Sequence, residues 1–324
     1  TTGNNVYAYT KSQGMFSSKV TNTAAQSANG VYNFPHDPKG NPSNYKEAAI
    51  TNLFYMNNML HGFLLNYEFT EAAGNFQSIN FSKLGKGRDP VMAIAQASDE
   101  PDGASFSTPP DGQSPVMSMG IFGFLWGKRD SSFDNTVITH EYAHGLTSRL
   151  TGGKDNADCL QSMEAMGLAE GWSDFLAIMS TAKKTHTRAT PREIGVYAET
   201  KSMRDKPYTT DMSVNPLKYK DILVDTEEHA VGTIWASMLW DMYWNLVDTL
   251  GFTEAYTKPD LTKGNTLALQ IVINALKLQP CNPTFAQARS AIIEAEENMT
   301  GGKYSCQIWA AFAKRGLGPM ALLI

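Results

Sequence analysis

Residues 135–153 read NTVITHEYAHGLTSRLTGG and hold two of the chain's six histidines, four residues apart, with a glutamate directly after the first. The stretch reads as a helix that the pair Gly152–Gly153 stops. An α-helix turns about 100° per residue, so His140 and His144 project from one face, about 40° apart and one turn removed. Two imidazoles at that spacing can hold one zinc ion. Glu141, on the rim of the same face, can reach a water at the metal without ligating the ion. A metal that activates water needs such a base to take its proton during attack on a carbonyl. The plainer reading is a helix with incidental polar residues, and the rest of the chain must decide between the two.

A catalytic zinc commonly takes three protein ligands and keeps one position open. LAEGWSDFLA, residues 168–177, supplies Glu170 and, four residues on, Asp174. The two share a helix face by the same geometry. Glu170 is the expected third ligand, and Asp174 the expected acceptor for the N–H of a ligand histidine, which fixes the ring. Glu164 is the rival ligand, but no carboxylate follows it at four residues.

Composition narrows the class. The chain has 324 residues, 42% hydrophobic and 18% charged, with a net charge of -5. That is a globular balance, with length enough for two domains. No Lys/Arg cluster stands out, so nucleic acid is not an expected partner. No apolar run approaches the roughly 18 residues of a membrane span, and the closing ALLI is far too short. The opening TTGNNVYAYT lacks Met and a secretory leader, as expected of a trimmed or mature form. Three cysteines are too few for a disulfide scaffold. Cys281 and Cys306 flank a helix and are the expected pair, leaving Cys159 free or buried. Asn80 (NFS) and Asn298 (NMT) are glycan acceptors only if the chain is secreted.

Residues 1 to about 45 read as turns and short strands. Residues 44–69 carry Ala49, Leu53, Met56, Leu60 and Leu64 at helical spacing. PVMAIAQ (90–96) and PVMSMGIFGFLW (115–126) read as strands, with a Pro- and Gly-rich loop between them. Beyond residue 135 the pattern turns helical, at 166–182, 227–250, 265–279 and 284–299. The expected architecture is a two-lobed α+β protein, with residues 1–150 as a mixed lobe ending in the HEYAH helix and 151–324 as a mainly helical lobe.

At this point the chain resembles a known family. HEYAHGLTSRLTGG followed by AEGWSDFLA is similar to the fungalysins, secreted fungal zinc metalloendopeptidases related to thermolysin. AAITNLFYMNNMLH, EAAGNFQ, DPVMAIAQ, FSTPPDG, PYTTDMSVNP, EEHAVGTIWASMLWD and FAKRGLGP follow in the family's order, so the resemblance covers essentially the whole chain. It implies a thermolysin-like fold and a bound Zn2+. It also implies secretion as a zymogen with an inhibitory propeptide, and protein or peptide substrates. A monomer is the default.

Position by position, the resemblance gives His140, His144 and Glu170 as ligands, Glu141 as the base and His229 as the donor to the developing oxyanion. Asp225, Glu227 and Glu228 are all near enough to hold the His229 ring, and Asp225 is favoured. Residues 145–169 lack the tyrosine that thermolysin-like enzymes carry there, so Tyr208 is the candidate donor in its place. Arg204 is expected at the substrate or a pocket wall. Ala104 is expected to pair with substrate backbone on an edge strand, although Asp102 and Gly103 replace the family's asparagines. Val137, three residues before His140, is expected to line the pocket for the residue after the cut.

Two other readings compete with an endopeptidase. A zinc aminopeptidase needs an acidic group for a free substrate N-terminus, and no dedicated motif for one is seen. A non-catalytic binding protein on the same fold would show a damaged site, whereas His140, Glu141, His144, Glu170 and His229 are all intact.

Overall fold

The computed structural model describes residues 1–13, 20–123 and 127–321. They form two compact units. The first comprises Thr1–Leu65, Phe69–Gly145 and Gly195–Met203; the second comprises Asn66–Glu68, Leu146–Ile194 and Arg204–Ile324. Among the described residues no helix is long and apolar enough to cross a membrane.

The first unit is built on a five-stranded sheet of β1 (Val6–Gln13), β2 (Val20–Thr23), β3 (Val91–Ala95), β4 (Ala104–Ser107) and β5 (Val116–Met119), in the order β2-β1-β3-β5-β4. β1, β3 and β5 run parallel, and β2 and β4 close the two edges antiparallel. The central β3, VMAIA, is buried at all but one position, as a strand covered on both faces requires. β6 (Ile121–Phe122) and β7 (Arg129–Asp130) form a separate short ribbon. Of the second expected strand, Phe124, Leu125 and Trp126 lie outside the described residues.

β4 corrects the loop that composition suggests over residues 99–115 and lies where the resemblance implies an edge strand. The Pro109–Pro110 pair comes only after Thr108, and no proline interrupts the four residues that pair. Its register sets Ala104 opposite Met119, and the Gly120 N–H donates to the Gly103 carbonyl at 3.0 Å. Hydrogen-bonded and non-bonded pairs alternate along an antiparallel ladder, so Ala104 and Phe106 turn their backbone groups away from β5, toward the open edge.

α1 (Lys46–Asn66) buries Ala49, Leu53, Met56, Leu60 and Leu64, the stripe its periodicity predicts. α2 (Asn135–Leu150) begins where the Asp134 carboxylate accepts the Thr136 and Val137 N–H groups at 3.1 and 3.4 Å. It ends at Gly152 and Gly153, both at positive φ. The other Asp134 oxygen accepts Tyr197 and Ala198 N–H at 3.0 and 3.1 Å, seating the short α4 (Val196–Glu199).

The second unit is helical: α3 (Met163–Ser180), α5 (Glu228–Leu250), α6 (Gly264–Leu278), α7 (Phe285–Thr300) and α8 (Ser305–Lys314). Trp172 of α3 meets Trp235 of α5 edge to face at 5.0 Å between ring centres. Arg315, fully buried, donates to Asp241 of α5 at 2.6 Å and to the carbonyls of Thr209 and Leu217 at 3.0 and 2.9 Å. These bonds tie the end of α8 to α5 and to the segment that follows Tyr208.

The disulfide joins Cys159 to Cys281, and Cys306 is the exposed free thiol. This corrects the expected Cys281–Cys306 pair. The 16 residues of α7 stand between those two cysteines, and a helix of that length spans roughly 24 Å, far beyond the roughly 7 Å limit between bridged Cα atoms. Asn282 adds to the correct link: its N–H donates to the Cys159 carbonyl at 2.8 Å, and its side chain accepts the Gln161 N–H at 2.7 Å.

Candidate active site

α2 sets the two histidines as the spacing demands. The Nε2 atoms of His140 and His144 lie 3.1 Å apart with the rings nearly perpendicular. His140 and Glu141 are buried, and His144 is half-buried. Gly145, next along, lets the helix press against aromatic rings: a Cβ there would stand 2.7 Å from both Phe76 and Phe106. Phe106 belongs to β4, so the same glycine that lets α2 approach also fixes the edge strand beside it.

One ligand atom each from His140, His144 and Glu170 lie within 4.8 Å of one another. Two nitrogens on a tetrahedral zinc, at roughly 2.0–2.1 Å each, would be about 3.3 Å apart, close to the 3.1 Å between these two. Two imidazoles and one carboxylate form the donor set of a hydrolytic zinc with an open position. On distance and on chemistry the residues fit the ion.

Glu170 owes its position to a glycine contact between α3 and α5. A Cβ on Gly167 would strike Val231 at 2.2 Å, and one on Gly171 would meet the Gly232 carbonyl at 2.6 Å. A Cβ on Gly232 would stand 2.4 Å from the Cβ of Glu170. With the helices this close, the first turn of α5 brings His229 to Glu170, Nε2 to Oε2 at 3.4 Å. Sequence reading did not find this crossing, although small residues four apart, as at Gly167 and Gly171, are its signal.

The acid that holds His229 is Glu227, which corrects the choice of Asp225. Glu227 caps α5: one carboxylate oxygen accepts the Ala230 N–H at 2.8 Å and the other bonds His229 Nδ1. A capping side chain folds back over the first turn, where His229 sits. Asp225 instead accepts the Glu227 N–H at 3.2 Å. Partial burial pushes the Glu227 carboxyl up, but the bonds from His229 and Ala230 outweigh it and hold the group below its ordinary range.

Asp174, fully buried one turn beyond Glu170, accepts Arg204 Nε at 2.7 Å and Nη2 at 3.0 Å, and also the Tyr208 hydroxyl. Arg204 Nη2 stands 3.7 Å from Glu170 Oε2. Burial would lower the Arg204 pKa, but the charge of Asp174 reverses the effect and keeps the guanidinium protonated. Tyr208 is fully buried, and burial followed by the Asp174 charge raises its pKa well above the ordinary value. A sealed hydroxyl already given to a carboxylate is not aimed at a substrate oxygen, so the oxyanion role expected of Tyr208 is corrected to one of support. Glu164, the rival ligand, accepts the Phe285 N–H at 2.7 Å at the start of α7. Val137 is buried, at 4% exposure, and Ala104 lies half-exposed on β4.

Comparison with known proteins follows the same lines. The family description "Fungalysin metallopeptidase" matches residues 1–321. "Extracellular metalloproteinase MEP" of Neosartorya fischeri is 42% identical over 324 residues, covering 98% of this chain and 51% of its own length. "Extracellular metalloproteinase 10" of Coccidioides posadasii is 42% identical over 326 residues, covering 98% and 52%. The chain therefore spans about half the length of the curated relatives it matches. A solved structure, the precursor of protealysin, a metalloproteinase from Serratia proteamaculans, superposes with a TM-score of 0.57 over 97% of this chain and 87% of that one. At 14% identity it speaks to the thermolysin-like fold alone.

Proposed function

We infer that this chain, which belongs to the fungalysin metallopeptidase family, is the catalytic part of a secreted zinc endopeptidase that cuts extended polypeptides. The observation that carries the reading is the convergence of His140, His144 and Glu170 with Glu141 beside the first ligand. The extracellular relatives support secretion, and a disulfide suits an oxidising compartment. The protealysin precursor supports a propeptide that covers the enzyme before activation. A monomer needs no further partner.

The residues that would hold zinc are His140, His144 and Glu170. When bound, zinc supplies Lewis-acid polarisation of a substrate carbonyl and acidification of water. Glu141 takes the proton from the attacking water and hands it to the leaving amine. His229, steadied by Glu227, donates to the carbonyl oxygen as negative charge gathers there, which favours the transition state over the planar ground state. Asp174 holds Arg204 against Glu170 and is the carboxylate suited to fix a ligand imidazole. The open edge of β4 at Ala104 offers main-chain groups to an extended substrate.

The test is a peptide blocked at both ends. Internal cleavage that disappears in Glu141→Gln while zinc stays bound is the expected result. Cleavage only when the substrate N-terminus is free would point to an aminopeptidase instead.

A further inference from the structure

Asn80, Phe81 and Ser82 form an Asn-x-Ser acceptor whose middle residue is not proline. The loop that carries them is pinned from two sides within the first unit. Glu71, itself buried, accepts the Phe81 and Ser82 N–H groups at 2.7 Å each, and the Ser82 hydroxyl as well. Asn4 accepts the Ile79 N–H at 2.8 Å and donates to the Ile79 carbonyl at 3.1 Å.

A cavity of about 720 Å³ opens beside this loop. His61 and Gln77, both buried, line it together with Asn4, Leu65, Phe81 and Leu84. Leu65, Phe81 and Leu84 are 41%, 78% and 56% exposed, and Ile79, bonded to Asn4, is 63% exposed. Single exposed apolar residues are ordinary, but four large ones gathered at one opening mark a surface that something covers. Asn80 Nδ2 donates to the Leu84 carbonyl at 2.8 Å, so the acceptor nitrogen stands at the edge of that opening.

We propose that Asn80 carries an N-linked glycan whose first sugars cover the apolar opening of Leu65, Ile79, Phe81 and Leu84. Attachment breaks the bond from sugar C1 to the phosphate oxygen of a lipid-diphosphate carrier and forms one from C1 to Nδ2. The carrier leaves as its diphosphate, and Nδ2 loses one proton. The proton that Nδ2 keeps can still serve the Leu84 carbonyl. In the folded chain Glu71 holds the Ser82 hydroxyl, so transfer precedes folding of the loop. The C–H face of a sugar can lie on the Phe81 ring while its hydroxyls meet water. Tethering selects the glycan as occupant, because an attached group stays at high effective concentration. The proposal rests on the secretion reading, since such transfer belongs to the secretory route.

The test uses the full-length protein, expressed behind a heterologous secretory leader in a glycosylating host. Enzymatic deglycosylation in heavy-oxygen water, followed by peptide mapping, is expected to return Asn80 as labelled aspartate. A bare Asn80 in the exported, folded protein overturns the proposal. Removing the glycan from the folded protein is expected to raise the fluorescence of a dye that binds apolar surface. Phe81→Ser/Leu84→Ser keeps the acceptor and, treated alike, should show little rise. No rise in the parent, or an equal rise in the double variant, overturns the covering role. The natural enzyme is located separately in its own culture. Retention inside those cells, with Asn80 labelled in the leader-driven protein, overturns the secretion reading and leaves the acceptor and its cover standing.

Discussion

Glu141 and Tyr208 are expected to respond differently to conservative replacement. Glu141→Gln keeps shape and polarity but removes the base, so kcat falls by roughly 10²–10⁴ while zinc affinity holds; activity within tenfold of the parent would contradict the role. Tyr208→Phe removes only the hydroxyl that donates to Asp174. The expected cost is about 1–2 kcal/mol in thermal unfolding, with a smaller fall in kcat than in Glu141→Gln, as Asp174, which holds Arg204, loses one of its donors. An unchanged unfolding midpoint would show that the bond contributes nothing. The grouping of His140, His144 and Glu170 was legible in the sequence, because the paired histidines obey helix geometry and a third ligand is required by the ion. Glu227 and Tyr208 were not legible in their roles. One depends on how a capping side chain folds back, and the other on burial, which only the assembled unit decides.

At the scale of elements, the crossing of α3 over α5 positions Glu170 against His229. Gly232→Ala puts a methyl 2.4 Å from the Cβ of Glu170, so the helices must part. Overpacking of this kind costs about 1–3 kcal/mol, and zinc affinity should weaken with it. Metal competition together with a melting curve checks both, and zinc affinity equal to the parent's would deny that the crossing sets the ligand. α1 and α2 were readable from periodicity because each carries a long repeating pattern. Composition hid β4, which is four residues long, partly exposed and set among prolines and glycines, and only the resemblance implied an edge strand at Ala104. α8 was hidden because ten residues give too short a stripe, with only Ile308, Ala311 and Phe312 buried.

For the whole molecule, two properties follow from burial and linkage. The Cys159–Cys281 link joins positions 122 residues apart, and its removal by Cys159→Ser/Cys281→Ser should cost about 2–5 kcal/mol of unfolding free energy; no loss would mean the link is dispensable. Burial raises the phenols of Tyr45, to about 12, and of Tyr67 and Tyr243 further. Their folded pKa values exceed the unfolded value of 10.0, so their contribution is complete below that pH and is lost above it. Unfolding stability should fall by up to about 1.4 kcal/mol per pH unit for each phenol, and a flat profile from pH 10 to 11 would contradict the burial. At this scale the α+β class was legible from where strands and helices cluster. The return of Gly195–Met203 to the first unit was not, because it rests on Asp134 bonds to residues over 60 positions away.

The most direct test of the central claim is a zinc titration of the metal-stripped chain against a competing chelator, repeated with Glu170→Gln and His144→Ala. One zinc per chain is expected. Each substitution should weaken binding at least by the roughly tenfold to hundredfold that loss of a supporting partner alone would cost. A chain that binds no zinc, or a Glu170→Gln variant that binds it as tightly as the parent, would contradict the shared site of His140, His144 and Glu170.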